Sequence, residues 1–136
     1  GIWPVNLTSP EMTRFWLTLD EACRVVRAAV ESMCGGEVFV PRLRRARVLD
    51  LLDAYFGDNT PYTVSGLRHG GEKVHEALVS EHELVAPWHD LPNPHGFVVI
   101  PPDGPAGLTT VVRSCDAPQE TVDSLRKLLA QAGCAK

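Results

Sequence analysis

The residues best placed to do chemistry crowd into one stretch, Leu67-Arg68-His69-Gly70-Gly71-Glu72-Lys73-Val74-His75-Glu76. Two adjacent glycines permit a tight turn with exposed backbone N–H groups, and Arg68 adds a planar, permanently charged fork just ahead of them. That combination suits an anion such as a phosphate or a carboxylate. Glu72, Lys73, His75 and Glu76 follow at a spacing that predicts the first turns of a helix, whose N-terminus would add partial positive charge at the same spot. The same residues also fit a plain strand-to-helix turn carrying a solvated charged face. Glu72, His75 and Glu76, with His69, are the candidate acids and bases, because histidine and neighbouring carboxylates titrate in the range where proton transfer is useful.

The elements that must position this stretch can be read from periodicity. Tyr62 to Leu67 predicts a strand feeding into the turn, and Val74, Ala77 and Leu78 continue the predicted helix beyond it. Upstream, Trp3 to Leu7 and Met12 to Leu17 predict two short extended segments in a hairpin-like pair, separated by Thr8-Ser9-Pro10. Thr18-Leu19-Asp20-Glu21 has the form of a capping box, and Leu19, Ala22, Val25, Val26, Ala29, Val30 and Met33 recur at helical spacing up to Gly35-Gly36. Val38 to Val40 predicts a buried strand stopped by Pro41. The cluster Arg42, Arg44, Arg45 and Arg47 is either a phosphate-facing loop or the solvated approach to a helix, which Val48, Leu51, Leu52 and Tyr55 then define. Pro87 to His95 predicts an irregular connection, Phe97 to Ile100 a strand and Leu108 to Val112 a further one. Val122, Leu125, Leu128 and Leu129 form the inner face of a last helix. Strands alternating with three to four flanking helices predict an α/β fold.

A length of 136 residues predicts one domain over 1–136. Hydrophobic residues at 44% and charged residues at 22% exclude disordered and coiled-coil classes. A net charge of −4 offers no global attraction for nucleic acid or an anionic membrane, so a basic site must be local. No apolar run is long enough to span a bilayer and no signal peptide opens the chain, which predicts a soluble, cytoplasmic protein with neither nucleic-acid nor membrane partners. The first residue is Gly1 rather than methionine, which suggests a processed or excised piece. Cys23, Cys34, Cys115 and Cys134 form no CxxC pair, so reduced, buried thiols are expected and no metal site is.

Three segments taken in order carry a resemblance: Thr8-Ser9-Pro10-Glu11-Met12-Thr13-Arg14-Phe15-Trp16, Gly36-Glu37-Val38-Phe39-Val40-Pro41, and Leu67 to Glu76. Together they resemble the C-terminal half of the CapD-type polysaccharide biosynthesis proteins. These are extended short-chain dehydrogenases/reductases acting as UDP-N-acetylglucosamine 4,6-dehydratases. The resemblance implies a small substrate-binding domain without its Rossmann cofactor half. It implies that Arg14 and Arg68 approach the diphosphate of a nucleotide sugar from two sides, with Met12, Thr13, Gly70, Gly71 and Lys73 completing the substrate site. Glu72, Lys73, His75 and Glu76 match the family's Glu-Lys-x-His-Glu and are expected to brace the site or to act as acids and bases.

The departures from that pattern also carry expectations. No G-x-x-G-x-x-G follows a strand, and neither Tyr55 nor Tyr62 has a lysine four residues on, so no cofactor is expected to bind this chain alone. NAD(P) would enter only through a Rossmann partner. His69-Gly70-Gly71 stands where the family has Pro-Gly, and Arg44-Arg45-Ala46 where it usually has Pro-Ser-Met. The expected function is therefore nucleotide-sugar binding as the substrate half of a split or truncated dehydratase/epimerase-like protein, with a Rossmann partner or a homodimer covering its apolar surface. The alternatives are a stand-alone, cofactor-independent lyase, isomerase or cyclase using the His/Glu residues, and a non-catalytic interaction module. Whether the chain is an enzyme stays open on the sequence.

Overall fold

A computed structural model describes residues 4–79, 97–100 and 112–134. Within them the order is β1 (Val5–Leu7), β2 (Thr13–Trp16), α1 (Leu19–Ser32), β3 (Val38–Pro41), β4 (Arg44–Arg47), α2 (Val48–Phe56), β5 (Tyr62–Val64), β6 (Ala77–Val79), β7 (Phe97–Ile100), β8 (Val112–Arg113) and α3 (Val122–Gln131). The fold is a small α/β arrangement whose described strands pair two by two. β1 runs parallel to β5, and the pairs β2–β4, β3–β7 and β6–β8 are antiparallel.

The helices form where local chemistry calls for them. Thr18 Oγ1 accepts the Glu21 N–H at 3.2 Å, and a Glu21 carboxylate oxygen accepts the Thr18 N–H at 2.9 Å, closing the capping box of α1. The Thr18 backbone N–H first, then the Thr18 hydroxyl donating at 2.9 Å and the Arg44 and Arg24 guanidinium groups, hold the Glu21 carboxyl below its ordinary range. The α3 cap is Thr121, whose hydroxyl accepts the Ser124 N–H. Helix α2 opens without a side-chain cap. Its third residue, the buried Asp50, instead receives the Arg47 guanidinium, with Nη2 at 2.6 Å, and the Gln119 amide at 3.1 Å. Helices α2 and α3 pack together, with Leu125 fully buried.

Val40 of β3 and Val79 of β6 are buried against Leu78, Ile100 and Val112, so the β3–β7 and β6–β8 pairs share one apolar cluster. Among the described residues, Leu7, Met12 and Ala46 are the other buried hydrophobic residues on the strand side. Burying such side chains is worth roughly 1.5–3 kcal/mol each, which is what sets the short strands against one another.

Four expectations are corrected. The opening segments do not form a hairpin-like pair: β1 takes β5 as its neighbour, while β2 takes β4. Nor does a helix follow Gly70-Gly71. Thr13 N–H donates to the Val74 carbonyl at 3.0 Å, and Ser114 N–H to the Glu76 carbonyl at 2.8 Å. With those carbonyls taken by β2 and by the residue just after β8, the chain runs on into β6, and among the described residues no helix opens from the glycine turn. Of the two readings of the arginine cluster the loop gives way: Arg44–Arg47 is β4, which runs directly into α2 with Arg47 as its N-cap, so the cluster approaches a helix but does so as a strand. Finally, Cys23, Cys34 and Cys134 are exposed rather than buried, although all four thiols are free.

The Tyr62–Leu67 strand is present but shorter, at Tyr62–Val64. The predicted connection over Pro87 to His95, and all of the Leu108–Val112 strand except Val112, lie outside the described residues. No described helix is long and apolar enough to cross a membrane.

Candidate functional site

The turn after β5 is built by Gly70 and Gly71, whose φ angles of 111° and 104° lie in the left-handed region that side chains resist. This reversal brings Glu72 back to Arg68. Glu72 accepts the Arg68 backbone N–H at 3.0 Å, its Nε at 3.2 Å and its Nη2 at 3.1 Å, and also takes the Thr8 hydroxyl at 3.2 Å. The Arg68 guanidinium, followed by its backbone N–H, holds the Glu72 carboxyl down at about 2. A carboxylate so firmly ionised has no proton to give near neutrality, so the geometry makes Glu72 a brace for Arg68.

Arg14 arrives from β2. Its Nη1 donates to the carbonyls of Thr13 at 2.8 Å and Val74 at 3.2 Å, its Nη2 to that of Lys73 at 3.1 Å, and its Nε lies 3.5 Å from the Glu76 carboxylate. Three main-chain acceptors pin this guanidinium before any ligand arrives. Arg68, by contrast, is 81% exposed at its side chain and leans on a single carboxylate.

Arg14, Arg68, His69, Gly70, Gly71, Glu72, Lys73 and Glu76 line one open cleft of about 500 Å³. The two arginines, far apart in the sequence, thus share a hollow beside the glycine turn. Three cationic side chains stand there against two carboxylates, a net excess of one positive charge with His69 neutral. Each arginine already has a carboxylate neighbour, so an incoming anion would share these cations rather than meet bare ones.

Three of the sequence candidates lie beneath the cleft instead of on it. Met12 and Thr13 are buried, and Thr13 Oγ1 sits 2.7 Å from both His75 Nδ1 and Ser114 Oγ. Ser114, fully buried, also accepts the Glu76 N–H at 2.9 Å and donates to the Thr13 carbonyl. The Thr13–His75–Ser114 network therefore ties β2, the segment carrying Glu76 and the start of the C-terminal region together directly under Arg14. Nothing in the sequence marks Ser114, since a lone serine before a cysteine has no pattern.

The arginines of β4 are also engaged. Arg44 bridges Glu21 at 2.8 Å and the buried Glu120 at 2.7 Å. Arg45 donates to the Cys115 carbonyl and to the Gln119 side chain. These two arginines thereby fasten α1 and the 115–120 segment to β4.

Among the described residues no group of His, Cys, Asp and Glu could hold a metal. The described helices start from Thr18, Arg47 and Thr121, and among the described residues none opens from a glycine-rich turn.

The fold and cleft thus define a small α/β unit with an open recess lined by two arginines and a lysine. Residues 2–92 match the family described as "Polysaccharide biosynthesis protein", and the chain belongs to that family. It is 35% identical over 80 residues to a UDP-N-acetylglucosamine 4,6-dehydratase (inverting) of Campylobacter jejuni, covering 59% of this chain and 23% of that protein. It is 36% identical over 88 residues to the capsular polysaccharide biosynthesis protein CapD of Staphylococcus aureus, covering 60% of this chain and 14% of that one. The chain thus spans less than a quarter of the length of these two relatives. The X-ray structure of Pen from Bacillus thuringiensis superposes with a TM-score of 0.73 at 23% identity, over 98% of this chain and 41% of Pen, a likeness of fold.

Proposed function

We propose that this chain is the nucleotide-sugar-binding half of a dehydratase- or epimerase-type protein of sugar or polysaccharide biosynthesis, and that its ligand is a UDP-hexosamine. The observation that carries the reading is the placement of Arg14 and Arg68 on one cleft with Lys73. Guanidinium forks and an ammonium are the groups that hold diphosphates, through paired N–H bonds and charge. The name of the Campylobacter relative supports the choice of UDP-N-acetylglucosamine as the first ligand to try. In this reading Arg14 and Arg68 grip the diphosphate, Lys73 adds charge, Gly70 and Gly71 allow close approach, and Glu72 and Glu76 orient the arginines. Met12, Thr13 and His75 support the cleft from below.

The cofactor half lies outside residues 1–136, in a partner or a further part of the polypeptide, and hydride chemistry belongs there. Free thiols and the metabolic role fit the cytoplasm. A stand-alone lyase, isomerase or cyclase would have to rely on His69 and Glu76, which line the cleft, because Glu72 is committed to Arg68 and His75 to Thr13. Isothermal titration with UDP-N-acetylglucosamine tests the reading. Saturable heat is expected, with affinity weakened in both Arg14→Ala and Arg68→Ala; parent heat equal to buffer dilution refutes it.

A further inference from the structure

Ser114 carries a buried hydroxyl at a place where the backbone alone would hold the turn. It follows β8 directly, and its N–H donates to the Glu76 carbonyl at 2.8 Å, which continues the β6–β8 pairing without help from the side chain. Yet that side chain is fully buried, and burying a hydroxyl costs free energy unless its hydrogen bonds are made. Among the described residues those bonds end on Thr13 and Glu76. Ser114 Oγ accepts the Glu76 N–H at 2.9 Å, lies 2.7 Å from Thr13 Oγ1 and donates to the Thr13 carbonyl at 3.2 Å.

Thr13 and Glu76 are also supports of Arg14. The Thr13 carbonyl accepts Arg14 Nη1 at 2.8 Å, so with Ser114 both of its lone pairs are taken and its direction is fixed. Glu76 sets its carboxylate 3.5 Å from Arg14 Nε. Ser114 therefore reaches Arg14 by two routes, through a carbonyl and through the backbone of a carboxylate neighbour, although it lies beyond residues 2–92, which match the family.

Each hydroxyl has a single hydrogen, and that fixes the order of donors. Ser114 gives its hydrogen to the Thr13 carbonyl, so the contact between the two hydroxyls must use the hydrogen of Thr13. Thr13 then has none left for the ring, and the 2.7 Å contact with His75 Nδ1 needs a hydrogen on that nitrogen. The order that makes every one of these contacts runs from His75 Nδ1–H to Thr13 Oγ1, on to Ser114 Oγ, and ends on the Thr13 carbonyl that holds Arg14.

The structure assigns Ser114 as a positioning residue of the cleft: its hydroxyl directs this relay and so holds Arg14 where an anion meets it. The assignment deepens the diphosphate reading and rests on it for the ligand. Imidazole nitrogen NMR of neutral His75 and isothermal titration with UDP-N-acetylglucosamine test it on the same preparations of the parent, Ser114→Ala, Thr18→Ala, and Ser114→Ala combined with Arg14→Ala. In the parent the ring proton sits on Nδ1. In Ser114→Ala the Thr13 hydroxyl has lost its acceptor and turns to the ring, so the proton moves to Nε2. The same variant weakens binding about fivefold, less than the loss of Arg14 itself, and adds nothing further once Arg14 is alanine.

Thr18→Ala loosens α1 away from the cleft and changes neither tautomer nor affinity. Ser114→Cys keeps a group of similar size with weaker hydrogen bonds, moves both readouts the same way by less, and takes the place of Ser114→Ala throughout if that variant does not fold. A proton on Nε2 in the parent, a tautomer unmoved by the substitution, full affinity in the substituted protein, or an affinity loss of the same factor with and without Arg14 overturns the assignment. Parent heat equal to buffer dilution overturns the ligand reading instead, and the tautomer then decides the relay.

Discussion

Arg14 and Arg68 carry the same charge into the same cleft, yet the structure gives them different work, and replacing each with alanine separates binding from folding. Arg14→Ala removes the donor from three main-chain carbonyls, those of Thr13, Lys73 and Val74, and leaves Glu76 without its cation. Hydrogen bonds to a charged group are worth roughly 1.5–3 kcal/mol each when buried. Here the side chain is 31% exposed, so water can reach part of the gap and the sum is discounted. A net loss of about 2 kcal/mol is expected, and for a chain of this size that lowers the melting midpoint by roughly 6–10 °C.

Arg68→Ala removes only an exposed guanidinium from Glu72, and its melting midpoint should stay close to that of the parent. In binding the two variants converge: each removes one charge-assisted contact to the diphosphate, which lowers affinity for UDP-N-acetylglucosamine by about tenfold to a hundredfold. Differential scanning fluorimetry and isothermal titration on the same preparations give both numbers. Equal melting midpoints for the two variants would refute the pinning of Arg14 by carbonyls. Loss of affinity in one variant and full affinity in the other would refute a shared diphosphate site.

Three further outcomes follow from the same contacts. The Glu72 carboxyl, held at about 2 against its ordinary 4.5, contributes its clamp fully above pH 4.5 and loses it as pH falls toward 2; a carboxyl carbon NMR titration with its midpoint at 4.5 would contradict this. Asp50→Ala strips the buried acceptor from Arg47 and Gln119 and should destabilise by about 2–3 kcal/mol in urea denaturation, with Asp50→Asn costing less because it keeps one acceptor oxygen. Thr18→Ala opens the α1 capping box and should cost about 1 kcal/mol by the same assay, without any change in ligand affinity.

The helices were legible in the residues because their signals are local. The capping box at Thr18 and Glu21, the spacing of Val48, Leu51 and Leu52, and the Leu125-centred face each lie within a few turns of chain, where sequence neighbours are also spatial neighbours. The glycine turn and its link to Arg68 were local too. The strand pairing was not, because Val5 of β1 pairs with Tyr62 of β5 and Thr13 of β2 with Arg47 of β4, far outside any local window, and no property of Val5 or Thr13 names a partner.

The stretch from Glu72 to Glu76 shows most plainly where local reasoning ends. Its spacing is helical, but Thr13 and Ser114 claim its carbonyls for inter-strand bonds, and backbone groups satisfied that way cannot also close helical turns. The same tertiary pairing sinks His75 and Thr13 beneath the cleft, brings in Ser114 unannounced, and turns the arginines of β4 into internal clamps. Residue types along the chain determined that a charged cluster would gather around the glycine turn and that three described helices would form. Long-range backbone pairing alone decided which of the charged groups would face the cleft, because that choice depends on contacts between residues the sequence keeps far apart.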